Sequence, residues 1–276
     1  MDVLQRKGIT LIENALKDFY EFAIRISKEA GKLNHTSFGN PKSIQTKKDD
    51  SLVTETDKQS EILVRDRISQ TFPDHGILGE EFGVKESDTD YFWCIDPLDG
   101  TSNFVRGIPL FAVSIALLYK NEPIVGVVYD PINDYLFSAL KGGGAFLNKT
   151  PLNRTDRPLQ SKLLFAVQSD FKGEIPKHMH QILGKAKIRN VGVASLHICY
   201  VAAGWLDCYV DQKSSLWDIA AGSLILTEAG GKISNLSGEN FYPLRDDVAT
   251  YTERKVHCIG AKHDTHQRVM REFFLL

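Results

Sequence analysis

Between residues 110 and 147 the pattern of the sequence changes, and this change limits the architectures open to the chain. On both sides of the segment, stretches with apolar residues three or four positions apart alternate with short apolar runs, which indicates helices and strands in turn. Within it, three or four strands follow one another, separated by the turn sequences NEP, PIND and GGG. An antiparallel meander set among alternating helices and strands favours a layered α/β or α+β sandwich.

The remaining elements are predicted from the same patterns. Predicted helices cover residues 9–30, 54–72, 177–184, 195–203 and 217–229, with a last helix after residue 264. Predicted strands or extended segments cover residues 77–78, 91–95, 188–193, 206–210 and 256–259, with one more near residue 233. Gly31 is expected to end the first helix as a C-cap, before a polar loop over residues 34–51. No linker divides residues 1–276, so one domain is expected.

Composition argues against several classes of partner. The chain has 33 basic and 35 acidic residues, a formal net charge of −2, so a broad basic surface for nucleic acid or anionic lipid is not expected. The densest apolar run has about ten residues, whereas a membrane-spanning helix needs about 20. The N-terminus lacks a secretory signal, and the four cysteines contain no Cys-x-x-Cys pair. A cytoplasmic protein without membrane or nucleic-acid partners is therefore expected.

Acidic residues stand where predicted strands end or predicted helices begin. They are Asp57, Glu80, Asp96, Asp99 and Asp218. Carboxylates at such edges face a cleft, and several that converge repel one another unless a cation neutralises them. No His or Cys accompanies them at a ligand spacing, so the all-oxygen set favours Mg²⁺ or Mn²⁺ over zinc.

Residues 96–101, with the sequence DPLDGT, combine several groups that phosphate chemistry uses. Pro97 biases Asp96 toward an extended conformation, so its carboxylate can leave the end of the strand. Asp99 and Gly100 make a tight turn, which frees backbone N–H groups that can bind phosphate at the start of a short helical turn. A pair of metal ions roughly 3.5–4 Å apart, bridging a phosphate and polarising a water, is a standard route to phosphate ester hydrolysis.

Each of these residues also has a simpler explanation. Asp57 follows Thr54 at the spacing of a capping box, and taken alone it is equally well explained as a helix cap. Asp218 stands in the same relation to Ser215. Asp-Gly turns are common, the acidic pair at 80–81 fits a solvated loop, and GGG at 142–144 fits a hairpin turn. The metal site is predicted from the joint occurrence of the motifs.

Two longer motifs resemble those of the inositol monophosphatase family. Residues 93–104, WCIDPLDGTSNF, resemble its first motif, and residues 217–231, beginning WDIAAG and ending TEAGG, resemble its second. LVTETD at 52–57 and GEE at 79–81 stand upstream in the matching order. The resemblance implies a five-layer αβαβα sandwich of the type shared with fructose-1,6-bisphosphatase. It also implies a lithium-sensitive homodimer that hydrolyses inositol 1-phosphate to inositol and phosphate with Mg²⁺.

The resemblance assigns roles to individual residues. Ligands of two or three Mg²⁺ ions, with Mn²⁺ as an alternative, are Glu80, Asp96, the carbonyl of Leu98, Asp99 and Asp218. The catalytic positions are Asp57 and Thr101, which orient the attacking water, and Glu80, which holds the third ion through water. The substrate-binding positions are Asp99, Gly100, Thr101, Ala194, Asp211 and Asp218.

The alcohol side of the substrate is matched less closely. Asp211 stands where inositol-specific members often carry Glu, and Val193 stands in the place of a hydroxyl residue. Fructose 1,6-bisphosphate, histidinol phosphate and a 3′-phosphoadenosine nucleotide are alternative substrates, although Ser102 replaces a Lys that nucleotide-directed relatives carry. A hypothesis of a different class is a non-catalytic partner of the RNA-synthesis machinery, as some bacterial relatives are. The longest basic cluster, at 47–48, does not support a nucleic-acid surface.

Overall fold

The computed structural model describes residues 3–152, 162–167 and 175–274, and the side chains from residue 14 onward. The helices are α1 (Val3–Ser37), α2 (Glu55–Thr71), α3 (Thr101–Arg106), α4 (Lys177–Lys185), α5 (Ala194–Ala202), α6 (Leu216–Glu228) and α7 (His263–Val269). A 3-10 helix spans Val248–Thr252, and a π-helical turn spans Met270–Phe274.

The first ten strands lie before the residues that the structure leaves undescribed. They are β1 (Gln45–Thr46), β2 (Leu52–Val53), β3 (Gly76–Gly79), β4 (Gly83–Lys85), β5 (Tyr91–Asp99), β6 (Ala112–Tyr119), β7 (Glu122–Asp130), β8 (Tyr135–Leu140), β9 (Gly144–Leu147) and β10 (Thr150–Pro151). The later strands are β11 (Leu164–Val167), β12 (Lys187–Arg189), β13 (Cys208–Ser214), β14 (Gly231–Ser234) and β15 (Val256–Lys262).

The strands form two large sheets and one short hairpin. The larger sheet has eight strands in the order β10-β9-β8-β7-β6-β5-β3-β4, and only β3 and β5 run parallel in it. The predicted meander is confirmed as β6 to β9. The smaller sheet has five strands in the order β12-β11-β13-β15-β14, with β11 parallel to both of its neighbours. The β1–β2 hairpin stands apart from both sheets.

Helices cover both sheets and also separate them. The first two helices pack on one face of the larger sheet, α5 and α6 lie between the sheets, and α4 and α7 cover the outer face of the smaller sheet. This is the αβαβα sandwich that the resemblance predicts. The sequence of α6, LWDIAAGSLILTE, is apolar on nearly all sides, as expected of a helix with a sheet on each face.

Gly126 lets α6 lie close to the larger sheet. A Cβ atom at Gly126 in β7 would stand 2.6 Å from the backbone oxygen of Ala221 in α6, closer than real Cβ contacts. Only glycine therefore permits this approach of helix backbone to strand. Because α6 begins at Leu216, its distance from the sheet also sets the position of Asp218 in its first turn.

The expectation that Gly31 ends the first helix is wrong. The helix α1 continues to Ser37, so the polar loop begins after Ser37 and not at Asn34. A Cβ atom at Gly31 would lie 2.5 Å from the ring of Tyr129, which shows that this glycine serves the packing of α1 on β7. The extra turns carry Asn34 to Pro97, where its side-chain amide donates a 2.8 Å hydrogen bond to the carbonyl oxygen.

The other predicted elements are found with boundaries shifted by a few residues. The largest shifts, of four residues at the C-terminal end, are in three strands: β5 (predicted 91–95), β12 (predicted 188–193) and β13 (predicted 206–210). Gly142 and Gly143 lie in the hairpin turn between β8 and β9, as predicted, and Gly144 begins β9. Among the described residues, no helix is long and apolar enough to span a membrane. The four cysteines all lie in the described ranges, are buried and form no disulfide.

Candidate active site

The parallel pairing of β3 and β5 brings two of the predicted acidic positions to one edge. Gly79 ends β3 and is paired with Ile95, so Glu80 follows β3 directly beside Asp96, which lies near the carboxyl end of β5. A Cβ atom at Gly79 would lie 2.1 Å from a carboxylate oxygen of Glu61, which is buried beneath this strand end. Parallel strands end at the same side of a sheet, and this accounts for the approach of two residues 16 positions apart in the sequence.

An irregularity in β5 sets the direction of the next carboxylates. Asp96 pairs with Ser114 and Asp99 with Ala112, so β5 holds one residue more than β6 between these pairs. The backbone N–H of Leu98 donates to Asp96 Oδ1 at 3.0 Å and closes the bulge. Bulges of this kind turn side chains away from the regular alternation of a strand. Asp96 and Asp99 are both nearly buried at this point.

Asp218 is held beside Asp96 through the start of α6. The N–H of Ser215 donates to Asp218 Oδ2 at 2.7 Å, so the predicted capping box is present. Ser114, which pairs with Asp96 in the sheet, donates from its hydroxyl to the carbonyl of Trp217 at 3.1 Å. One oxygen of Asp218 therefore caps the helix, and the carboxylate still lies among the acidic residues. The cap and the site are compatible.

Asp57 and Thr101 form a direct hydrogen bond. The hydroxyl of Thr101 lies 2.8 Å from Asp57 Oδ1 and 3.1 Å from the carbonyl oxygen of Leu98. The other oxygen of Asp57 accepts from the N–H and the hydroxyl of Thr54, in the predicted capping box of α2. Asp57 is 1% exposed. A buried carboxylate fixed on one oxygen and bonded to a hydroxyl on the other can orient that hydroxyl and accept a proton from it.

Asp99 joins the site to the start of α5. Its two carboxylate oxygens accept hydrogen bonds from the N–H groups of Ala194 (3.2 Å) and Ser195 (2.7 Å). Gly100 follows with φ +98°, a left-handed conformation, and a Cβ atom there would lie 2.9 Å from Val193 Cγ2. Val193 is buried against Gly100, so this side chain packs on the turn.

The segment before α5 is held from both sides by side chains. Asn103 donates to the carbonyl of Val191 at 2.7 Å, and the N–H of Val191 donates to His197 Nε2 at 2.8 Å. His197 is buried, and burial lowers its pKa to about 4. The ring is therefore neutral at pH 7 and accepts through Nε2. The sequence pattern gave no indication of this role for His197.

Burial and mutual repulsion raise the pKa of the clustered carboxyl groups. Burial is the main cause for Asp96, and repulsion from Glu80, Asp99 and Asp218 adds to it. Burial and the charges of Asp99 and Glu80 also raise the pKa of Asp218. The pKa of Asp99 rises to about 6 through burial, although its bonds to the α5 backbone oppose the rise. Burial likewise raises the pKa of Asp57. The site therefore favours a cation or protons.

One basic and one acidic side chain that were not predicted as site residues also contact the acidic cluster or the turn beside it. Lys47 of the β1–β2 hairpin places its Nζ 2.7 Å from Glu80 Oε1 and 2.6 Å from Glu81 Oε1. Glu61 accepts hydrogen bonds from the N–H groups of Glu81 (2.7 Å) and Phe82 (3.2 Å), which fixes the turn after β3. Both contacts join residues 20 or more positions apart, so no local pattern reveals them.

The donor set fits a hard cation in its chemistry. Asp96, Asp99 and Asp218 lie close enough for their charges to repel one another, and Leu98 stands between two of them in the bulge of β5. Oxygen-only sets of this kind suit Mg²⁺ or Mn²⁺. Within the described ranges, no three His, Cys, Asp or Glu side chains are already arranged to hold one ion. Because like charges repel, the side chains are expected to close around an ion only when it binds.

Asp211 lies in β13 and is buried, at 3% exposure. Its Oδ1 accepts from the N–H groups of Lys213 (2.6 Å) and Ser214 (3.0 Å). Its Oδ2 accepts from the hydroxyls of Tyr209 (2.6 Å) and Ser214 (2.7 Å). All four donors belong to its own strand.

Comparison with known proteins shows matches over most of the chain. The profile of the inositol monophosphatase family matches residues 15–269. Inositol monophosphatase 2 of Solanum lycopersicum is 37% identical over 264 residues, covering 91% of this chain and 100% of the relative. Nus factor SuhB of Escherichia coli (strain K12) is 38% identical over 249 residues, covering 87% of this chain and 93% of the relative.

A solved structure shows the same architecture. The IMPase of Thermotoga maritima superposes with a TM-score of 0.80 at 29% identity, covering 93% of this chain and 96% of that structure. The likeness therefore extends over both sheets and all three helical layers described above.

Proposed function

This chain belongs to the inositol monophosphatase family, and from that premise we propose that it is a Mg²⁺-dependent phosphomonoesterase that hydrolyses inositol 1-phosphate to inositol and phosphate. The observation that most supports this proposal is the cluster of acidic side chains at the carboxyl ends of β3 and β5, in which Asp96 and Asp99 are buried and Glu80 is partly exposed. Burial and mutual repulsion raise the pKa values of its members, as expected of a site that takes up cations.

The residues proposed to hold the metal are those that the family motif predicts. They are Glu80, Asp96, the carbonyl of Leu98, Asp99 and Asp218. Bound Mg²⁺ would supply the positive charge that offsets the phosphate and acidifies the attacking water. The chain then needs no basic patch, in keeping with its formal net charge of −2.

The other residues orient the water and the phosphate. Thr101 Oγ1, 2.8 Å from Asp57 Oδ1, can accept a proton from the water as it passes its own proton to the buried carboxylate. Glu80 is proposed to hold a third Mg²⁺ ion through a water molecule. The N–H groups of Gly100 and Thr101, at the start of α3, are proposed to donate to phosphate oxygens. Ala194, whose N–H lies 3.2 Å from Asp99, is proposed to border the substrate alcohol.

The experiment that tests this proposal is a hydrolysis panel in the presence and absence of Mg²⁺. The panel contains inositol 1-phosphate, fructose 1,6-bisphosphate, histidinol phosphate and a 3′-phosphoadenosine nucleotide. The proposal expects Mg²⁺-dependent phosphate release that is fastest with inositol 1-phosphate, inhibited by lithium and absent in Asp218→Asn. Faster release from fructose 1,6-bisphosphate or histidinol phosphate would keep the chemistry and change the substrate. Full activity in Asp218→Asn would reject the metal site.

A second candidate function follows from the relatives named Nus factor SuhB, of which the Escherichia coli protein is 38% identical to this chain. These names favour an association with the RNA-synthesis machinery, independent of phosphatase activity. A variant without hydrolytic activity, Asp218→Asn, that restores the phenotype of a deletion strain would support this role. Failure of that variant to restore growth, where the active protein succeeds, would favour the phosphatase alone.

Homodimer formation is proposed from the family and can be tested by light scattering.

A further inference from the structure

The carboxylate of Asp211 is fully occupied by its own strand. A carboxylate offers about four lone-pair sites. The backbone N–H groups of Lys213 and Ser214 and the hydroxyls of Tyr209 and Ser214 use four of them, at 2.6 to 3.0 Å. With 3% exposure, the side chain also lies below the surface that a substrate can reach. A substrate hydroxyl would have to displace one of these buried donors, which is unfavourable.

These bonds close a bulge in β13. Asp211 pairs with Cys258 and Ser214 with Val256, so β13 holds one residue more than β15 between the two pairs. The side chain of an Asp that accepts from the N–H groups two and three residues later forms an Asx-type turn. A Glu side chain is one methylene longer and does not form this turn so readily. Asp211, which stands where inositol-specific members often carry Glu, is therefore suited to closing the bulge.

The bulge leads directly to a proposed metal ligand. Ser214 ends β13, and the next residue, Ser215, is the N-cap of α6 and donates its N–H to Asp218 Oδ2 at 2.7 Å. Lys255 donates to the hydroxyl of Ser215 at 2.9 Å and ties the same turn to the start of β15. The position of Asp218 therefore depends on how the chain leaves β13, which the bonds of Asp211 determine.

We propose that Asp211 is a positioning residue that places Asp218 through the β13–α6 turn, and that it does not bind hydroxyls of the substrate alcohol. The resemblance assigns Asp211 to the alcohol, so the inference changes the role of this residue. It rests on the proposed phosphatase function for its kinetic test only. The alcohol is then contacted by other groups of the site.

Three variants of the full chain test this inference. Asp211→Asn keeps an oxygen that can accept from Lys213 and Ser214 but removes the charge, whereas Asp211→Ala removes the turn. Asp211→Glu restores the carboxylate with a longer side chain. Two quantities are measured for each variant: the dissociation constant of Mg²⁺ by calorimetry, and the ratio of kcat/KM for inositol 1-phosphate to that for glycerol 2-phosphate.

The inference expects Asp211→Ala and Asp211→Glu to weaken Mg²⁺ binding about tenfold, since the turn hydrogen bonds are lost. Asp211→Asn is expected to bind Mg²⁺ within about twofold of the natural protein. The ratio for the two esters should change by less than about twofold in Asp211→Asn. A charge contact to the alcohol would instead be worth about tenfold in that ratio.

Two results would overturn the inference. One is a tenfold or larger loss of kcat/KM for inositol 1-phosphate in Asp211→Asn without loss for glycerol 2-phosphate, which identifies Asp211 as a direct ligand of the alcohol. The other is unchanged Mg²⁺ affinity in a folded Asp211→Ala protein. If Asp211→Ala does not fold, the Mg²⁺ dissociation constants of Asp211→Glu and Asp211→Asn are compared instead. Equal Mg²⁺ affinity in these two variants would then overturn the inference. If the natural protein hydrolyses neither ester, the proposed function fails, and the calorimetry still decides the role of Asp211.

Discussion

Removal of Mg²⁺ should destabilise the protein by an amount that depends on pH. The acidic cluster contains buried carboxylates that repel one another when they are ionised and no cation is present. Asp99 supplies a magnitude, since burial raises its pKa from 3.8 to about 6. At 1.36 kcal/mol for each pH unit, this rise corresponds to about 3 kcal/mol of destabilisation of the metal-free protein.

The sign follows from proton binding. A folded-state pKa above the unfolded-state value means that the folded protein holds the proton of Asp99 more tightly between pH 3.8 and about 6. The stability from this proton is present below pH 3.8 and is lost as the pH rises through about 6. Mg²⁺ offsets the cost of burying the negative charge of Asp99, and the smaller repulsion from Glu80, only where the cluster is ionised. The stabilisation by Mg²⁺ should therefore be small near pH 4 and larger by about 3 kcal/mol at pH 7.5.

The assay is urea unfolding at a series of pH values, with saturating Mg²⁺ and with a chelator. The relevant quantity is the difference in the free energy of unfolding between the two conditions. His197 and His266 titrate in the same pH range, and their effect on stability has the opposite sign to that of Asp99. Burial lowers the pKa of each to about 4, so each stabilises the folded protein as the pH rises. These two histidines lie outside the cluster and cancel in the difference. A stabilisation by Mg²⁺ that is the same at pH 4.5 and pH 7.5 would refute this reasoning.

Three substitutions, two of them with a control substitution, test other parts of the account. Asp96→Asn should abolish turnover and weaken Mg²⁺ binding in calorimetry, with an unchanged circular dichroism spectrum; full activity would reject its role as a ligand. Thr101→Val should lower kcat about 10²- to 10⁴-fold with a smaller change in KM, while Thr101→Ser should keep most of kcat in a steady-state assay. Gly126→Ala should lower the free energy of unfolding in urea by about 1–3 kcal/mol, because its Cβ would meet the backbone of α6. The matched control Gly184→Ala, in a helix with open space around the glycine, should be neutral or stabilising.

The elements of the fold could be predicted from local patterns in the sequence. The meander, the apolar helix α6 and the strand ending at the DPLDGT segment follow from periodicity and turn residues. The assembly of these elements into five layers came from the resemblance to the family, since periodicity does not show which strand pairs with which. The parallel pairing of β3 with β5, which brings Glu80 to Asp96, is a case in point.

Predictions from local patterns were wrong or incomplete where a residue contacts another that is distant in the sequence. Gly31 matches a helix C-cap in sequence, but it is a glycine because the ring of Tyr129, 98 positions away, packs against it. Lys47, Glu61 and His197 act through contacts that no spacing rule describes. Asp211 lies one residue beyond the strand predicted over 206–210, and its partners could not be known, because the bulge that it closes depends on the pairing of β13 with β15.

Alternative explanations for single residues proved compatible with the site. Asp57 and Asp218 are both members of capping boxes, and both also lie in the acidic site. In each, one carboxylate oxygen caps the helix, and Asp57 uses the other for Thr101. A cap holds the side chain in one orientation, which is also what a ligand or a proton acceptor requires.

The most direct test of the account is a crystal structure of the protein with Mn²⁺ and phosphate, examined by anomalous scattering. The account predicts Mn²⁺ peaks bounded by Asp96, Asp99 and Asp218, with a second position beside Glu80 and the phosphate near the N–H groups of Gly100. Well-ordered crystals with phosphate bound and no anomalous peak among these carboxylates would contradict the central claim that the acidic cluster is a divalent-metal site.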